Sequence, residues 1–288
     1  MLKSISAFLS VIILILILSA LPDTLHDSDG HISFTPETGW HSIQDYITGI
    51  ENGESFQYIQ GKNRTRGYFE DIGKFFATSY VYLFFSAILI ISISLIVSIW
   101  QARSNKEWVK DIIGFFGFLP DFILILLLQM CVVLLYKSTG TKIAMVASRS
   151  FAEPAVLLPL ITLTVIPSIY LIRTLTERSY HVLTEDYILM AKSKGIKKIT
   201  IIFQHVIRNV LPYLKADLHG MLAIMMGNLF IVEYLFNIHG VTKLIFSDTV
   251  YQFNLTVNGL LTLVFLYLLL YWSIRIFVFG LERIFAYE

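Results

Sequence analysis

The feature that most limits this fold is a set of long apolar runs. VIILILILSAL, YVYLFFSAILIISISLIVSIW and GLLTLVFLYLLLYW cannot all be buried by a soluble chain of 288 residues. A bilayer crossing takes about 20 predominantly apolar residues. Charged residues make up 15% of the chain, against about 25% in a soluble domain. No polar–apolar alternation is long enough for a barrel, so backbone groups in lipid must be satisfied within helices. The sequence therefore predicts an all-α membrane protein with six transmembrane helices. They fall near 5–21, 76–100, 112–136, 154–173, 213–236 and 258–280. The first run also has the outline of a signal peptide, with Lys3, an apolar stretch and then Ser19-Ala20. It is long for that purpose, and no A-x-A site follows.

The distribution of Lys and Arg sets the expected orientation. With the N-terminus inside, fourteen of the 22 basic residues fall in inner segments, and eight, including Lys62, Arg64, Arg66 and Lys74, in outer ones. This predicts cytoplasmic N- and C-termini. The segment 22–74 then faces outward. It is acidic, punctuated by glycines, and carries Trp40, Phe56, Tyr58 and Phe69, which predicts a small folded cap. The divisions expected are a first helix at 1–21, the cap at 22–74 and a five-helix core at 75–288. Asn63-Arg64-Thr65 matches a glycosylation sequon, a pattern with a high chance rate. The single cysteine, Cys131, cannot form an intrachain disulfide and reads as a buried apolar side chain. The net charge of +1 gives no sign of nucleic-acid binding.

Residues 185–212, EDYILMAKSKGIKKITIIFQHVIRNVLP, break the apolar pattern. Glu185 and Asp186 suit a helix start, and Lys192 and Lys194 a helix end. Ile188, Met190 and Ala191 form a short apolar ridge. Gly195 can take positive φ and turn the chain. Ile199, Ile202, Phe203, Val206 and Val210 recur at helical spacing beyond it. On the residues alone, this helix–glycine–helix insert is either a basic surface helix held by anionic membrane lipid or a docking element for a cytoplasmic partner.

The same insert resembles the coupling loop of the permease subunits of binding-protein-dependent ABC importers, in particular the B-type subunit of the oligopeptide, dipeptide and nickel family. Glu185-Asp186-Tyr187-Ile188, Ala191 through Ile196, and His205-Val206-Ile207-Arg208-Asn209-Val210-Leu211-Pro212 carry the likeness. Asn52 to Phe56, Phe118 to Phe122, Ile172-Arg173 with Glu177, and Gly227 to Phe236 with Glu233 and Gly240 extend it. Departures occur at Leu189, where the family has a glutamate, at Tyr251-Gln252-Phe253-Asn254, and at the Ala286-Tyr287-Glu288 end.

The resemblance implies the type I ABC importer permease fold, in a bacterial inner or plasma membrane, with the coupling loop at 174–212. It implies no catalysis and no cofactor in this chain, ATP and Mg being bound by two cytoplasmic ATPase subunits. A second, C-type permease subunit and an extracellular solute-binding protein complete the expected assembly. Residues 184–200 would dock on an ATPase, with Glu185, Asp186, Lys192 and Lys194 giving polar contacts, Met190 and Ala191 filling the groove, and Gly195 fixing the exit angle. The cargo implied is a peptide, with a nickel or metallophore cargo as the alternative. The departures also fit a transport-inactive scaffold or sensory subunit.

Ionisable groups at membrane depth mark candidate function. Asp121 is expected about nine residues, or ~14 Å, into the third span, beside Pro120. It either lines the translocation path or caps a kink. Glu233 is expected at the outer end of the fifth span, contacting ligand or partner or serving packing. Asn228 reads as an interhelical hydrogen bond. An intramembrane enzyme is disfavoured, because the histidines fall in loops or near span ends and no H-E-x-x-H or G-x-S-x-G occurs. No P-loop occurs either.

Overall fold

The computed structural model describes residues 2–28, 31–61, 64–104, 106–246 and 251–286. Lys62, Asn63 of the sequon and the terminal Tyr287 and Glu288 lie outside these, as does the side chain of Lys3. The elements run α1 (Leu2–Thr24), the hairpin β1 (Leu25–Ser28) and β2 (His31–Phe34), α2 (Pro36–Asn52), a 3-10 turn, and the hairpin β3 (Gln57–Gln60) and β4 (Arg64–Gly67). There follow α3 (Tyr68–Ser104), α4 (Glu107–Phe118), α5 (Asp121–Thr139), α6 (Leu157–Thr184) and α7 (Asp186–Ser193). Then come α8 (Lys198–Thr200), a π turn (Ile201–Ile207), α9 (Arg208–Leu235), α10 (Val241–Ile245) and α11 (Phe253–Ala286). Among the described residues five helices are long and apolar enough to cross a membrane, in α3, α5, α6, Lys198–Leu235 and α11, with a shorter apolar helix at Phe8–Thr24.

The chain divides into two compact units. The first comprises residues 1–78 and 239–266. Here Pro36 opens α2 and Gly53, at φ 79°, closes it, the usual asymmetry of helix ends. Gly39 allows α2 to lie against α1: a Cβ there would come within 2.4 Å of the Thr24 methyl. Asn258 ties the unit together. Its Oδ1 accepts from the Tyr46 hydroxyl at 2.7 Å, and its Nδ2 donates to the Ser55 carbonyl at 2.7 Å. Gln252 grips the backbone of Ile59 in β3 through both ends of its amide, at 2.7 Å each. The Tyr251 hydroxyl donates to the Ser19 carbonyl, and Phe253 packs edge-on to Tyr46. The stretch that departs from the family pattern thus holds this unit together.

The second unit comprises residues 79–238 and 267–288. Its core is the pair α6 and α9. On α9 the buried residues Leu211, Leu214, Leu218, Met221, Met225, Asn228 and Val232 recur at alternating steps of three and four, the seam of a closely packed helix pair. Buried Ser168, Ile172, Leu175, Ser179 and Val182 repeat those steps on α6.

Three sequence expectations are corrected. The third span is not one helix over 112–136. Proline disfavours a helical conformation in the residue before it. Leu119 is extended (φ −75°, ψ 123°), and Pro120 becomes the cap of α5. Asp121 is therefore the first residue of α5 and not nine residues deep. Secondly, the fourth and fifth spans run past their apolar parts. α6 continues to Thr184, and one helix covers Lys198–Leu235 with Pro212 inside it. Hydropathy marks only the lipid-facing length, whereas the buried seam continues through polar sequence. Finally, Cys131 is exposed, because α5 buries only Leu124 and Ile125.

Candidate coupling site and buried polar contacts

The insert is a rigid corner. α6 ends at Thr184, and one extended residue, Glu185 (φ −66°, ψ 145°), is at once the end of α6 and the cap of α7. α7 closes on Gly195 at φ 73°. The Gly195 N–H donates to the Lys192 carbonyl at 3.0 Å, and the Ile196 N–H to the Ala191 carbonyl at 3.2 Å. This pair of bonds is a Schellman closure, which satisfies the helix-end carbonyls and fixes the exit direction.

Burial sorts the predicted residues into two faces. Ile188 is 0% exposed and Ala191 7%. Both face into this chain, which corrects the expectation that Ala191 fills a partner's groove. Met190 at 58% and Leu189 at 50% point outward. Glu185, Asp186, Lys192 and Lys194 are exposed around them.

Sequence reasoning gave no role to the contact that holds this corner. The Asn209 Nδ2 donates to the Tyr187 hydroxyl at 2.9 Å and to the His205 carbonyl at 2.8 Å. The His205 ring lies 6.1 Å from Tyr187, edge to face. The two halves of the recognised pattern, Glu185-Asp186-Tyr187 and His205 through Asn209, meet here. Burial and the Glu185 carboxylate push the Tyr187 phenol up, so it remains a neutral hydrogen-bonding group. Midway along α6, Arg173 donates to the Ile113 carbonyl of α4 at 3.3 Å. Gly117 leaves room for that guanidinium, since a Cβ there would meet Nη2 at 2.7 Å.

Glu233 is 1% exposed, and its Oε1 accepts from the Ser79 hydroxyl at 2.5 Å. It faces the interior of this chain. α9 ends two residues further on in a second Schellman closure, with Ile238 N–H donating to the Glu233 carbonyl at 2.8 Å and Asn237 at φ 53°. Asn237 Nδ2 also donates to the Ser148 carbonyl at 2.9 Å, and Ser148 N–H to the Phe236 carbonyl at 2.8 Å. Gln129 of α5 reaches the Val146 and Leu235 carbonyls at 3.1 and 3.2 Å. A run of hydrogen bonds to backbone carbonyls thus secures the loop between α5 and α6 to the end of α9.

Asp121 is half-buried and faces the side chain of Asn228, whose Nδ2 is buried without a hydrogen-bond partner of normal geometry. His219 is not near a span end. It lies mid-α9, bonded to the Tyr267 hydroxyl at 2.6 Å and stacked on Tyr271 at 4.3 Å. These contacts read as polar packing between α9 and α11.

Residues 94–286 match the family described as the binding-protein-dependent transport system inner membrane component. The chain belongs to that family, the permease components of ABC importers. It is 29% identical over 126 residues to the dipeptide transport system permease protein DppB of Bacillus subtilis, covering 43% of this chain and 39% of that one. It is 24% identical over 179 residues to the metal-staphylopine import system permease protein CntB of Staphylococcus aureus, covering 61% and 55%. The matched part is thus less than two thirds of either relative's length.

Proposed function

We propose that this chain is one permease subunit of an ATP-driven importer, and that α7 is the element through which separate ATPase subunits drive it. One observation carries the reading. Two long helices, α6 and Lys198–Leu235, extend past their apolar stretches and are joined by a short helix fixed at Glu185, Gly195 and Tyr187. A push on the exposed Leu189–Met190 face of α7 reaches both helices as a rigid displacement. This supplies the two-state element that nucleotide binding must bias.

In this reading the N- and C-termini and α7 are cytoplasmic, the cap segment is outside, and a solute-binding protein delivers cargo to it. A second permease subunit completes the conduit. Asp121 and Asn228 form a polar step along the path, while Glu233 serves packing. The cargo is a peptide, in keeping with the dipeptide permease relative. A metallophore is the second reading, favoured by the longer match to the metal-staphylopine permease.

The test is purification from native membranes with ATP hydrolysis measured in lipid. Wild type should bring a second permease and ATPase subunits, with hydrolysis stimulated by cargo-loaded binding protein. A Gly195→Pro, Glu185→Lys variant should lose the ATPase. If the variant keeps its ATPase partners and their stimulation, the docking role of α7 is wrong.

A further inference from the structure

Two cavities in the second unit meet at Arg103 and Ile202, which line both. The first is a groove of about 420 Å³ whose walls include Leu95, Ile96, Trp100, Phe203, Phe277 and Leu281. The second is a pocket of about 340 Å³ lined by Arg103, Tyr180, Thr184, Lys192 and Lys198 among others. Both volumes fall in the range of about 300–1,000 Å³ typical of ligand sites.

Their chemistry differs sharply. The groove is formed by the last turns of α3 and α11 and by the π turn, and apart from Ser92 and Arg103 its lining is apolar. It opens sideways, with Ile96 70% and Phe203 50% exposed. The pocket holds three cations and two hydroxyls, and no carboxylate is among its lining residues. Among the described residues none of the three cations is in an ion pair. Lys106 adds a fourth positive charge, with its Nζ 5.8 Å from the Trp100 ring. Tryptophan beside Lys and Arg is the usual composition where a membrane helix meets lipid headgroups.

We propose that this composite cavity binds one anionic phospholipid, with its phosphate among Arg103, Lys192 and Lys198 and one acyl chain in the groove. Unpaired cations at the end of a membrane-helix groove match a phosphodiester joined to a hydrocarbon chain. A free phosphate would leave the groove empty, and an apolar protein segment would leave the cations unpaired. Lys192 belongs to α7, so a lipid seated here touches α3, α6, α7, the π turn and α11 at once. Its occupancy then biases where the corner sits, as any ligand biases the state it binds better. The inference does not depend on the importer reading.

The test uses the full chain in phosphatidylcholine vesicles, with Trp40→Phe, Trp108→Phe and Trp272→Phe leaving Trp100 as the reporter. Brominated-chain phosphatidylglycerol, at equal mole fraction, should quench Trp100 about threefold more than brominated phosphatidylcholine. Arg103→Gln with Lys198→Gln should bring the ratio to about one. Equal quenching in the parent, or a ratio unchanged in the double variant, overturns the proposal. Trp100 shielded from both lipids also overturns it, in favour of a protein occupant. Should the tryptophan variant fail to fold, phospholipid retained by the wild-type chain after mixed-micelle exchange, quantified by mass spectrometry, decides the matter. Anionic lipid enriched in wild type and lost in Arg103→Gln, Lys198→Gln supports the site, and equal retention in both overturns it.

Discussion

Asn209, on α9, donates a hydrogen bond to the hydroxyl of Tyr187, on α7, at 2.9 Å. With the same amide it holds the His205 carbonyl, so one side chain fixes the short helix to the long one. A single neutral hydrogen bond contributes about 0.5–1.5 kcal/mol net. Tyr187→Phe and Asn209→Leu should each loosen α7 by that order, and the double variant should lose much less than the sum. Hydrogen exchange of α7 amides checks this. Full additivity of the two losses would show that the pair does not act as a unit.

Buried polar pairs respond unequally to one-sided and two-sided removal. Ser79→Ala should destabilise by about 1–3 kcal/mol, because Glu233 loses a donor where water cannot replace it. Glu233→Gln should be better tolerated than Glu233→Leu, since the amide still accepts. The Ser79→Ala, Glu233→Leu pair should show a coupling of about 0.5–3 kcal/mol in a double-mutant cycle. Thermal unfolding in detergent reads all four.

Two Schellman closures end α7 and α9, one on Gly195 and one on Asn237. A side chain in left-handed conformation costs about 1–2 kcal/mol, except where Asn offsets it by local hydrogen bonding. Gly195→Asn should therefore be milder than Gly195→Val. Asn237→Gly should keep the backbone turn and lose the bond to Ser148. The unfolding midpoints of the three variants test this order.

Burial and the Lys243 ammonium hold the His239 imidazole below its ordinary pKa of 6.5. As pH falls, the unfolded chain binds the proton first. The stability from this site is complete above about pH 6.5 and is lost as pH falls through the lowered folded value. His239→Gln should flatten the acid side of the midpoint-versus-pH curve between about pH 7.5 and 5. An unchanged slope would exclude His239 as its source.

Much of this was legible from sequence. The apolar runs located the membrane helices, the insert stood out by charge, and Gly195 announced its turn. Reach was not legible. Hydropathy stops where lipid stops, whereas the buried seam of α6 and α9 continues past the exposed Arg173 and Glu177 and the half-buried Lys215. The break at Pro120 was within reach, since the extended preference of Leu119 follows from the proline alone. The inward turn of Ala191 and the Tyr187–Asn209 contact were not, because each depends on which face of an eight-residue helix meets a helix that begins five residues later. The Tyr251 to Asn254 stretch departs from the family pattern, and its clamping of the first unit follows from no pattern in the sequence.

The most direct measurement is photo-crosslinking in native membranes from a reactive amino acid placed at Met190, with Ile188 as the buried control. The adduct is purified, sized and assayed for ATP hydrolysis. A Met190 adduct with an ATP-hydrolysing protein, absent from Ile188, is the expected result. Crosslinks from Met190 that reach only lipid, while an ATPase still co-purifies with the chain, would contradict the assignment of α7 as the coupling helix.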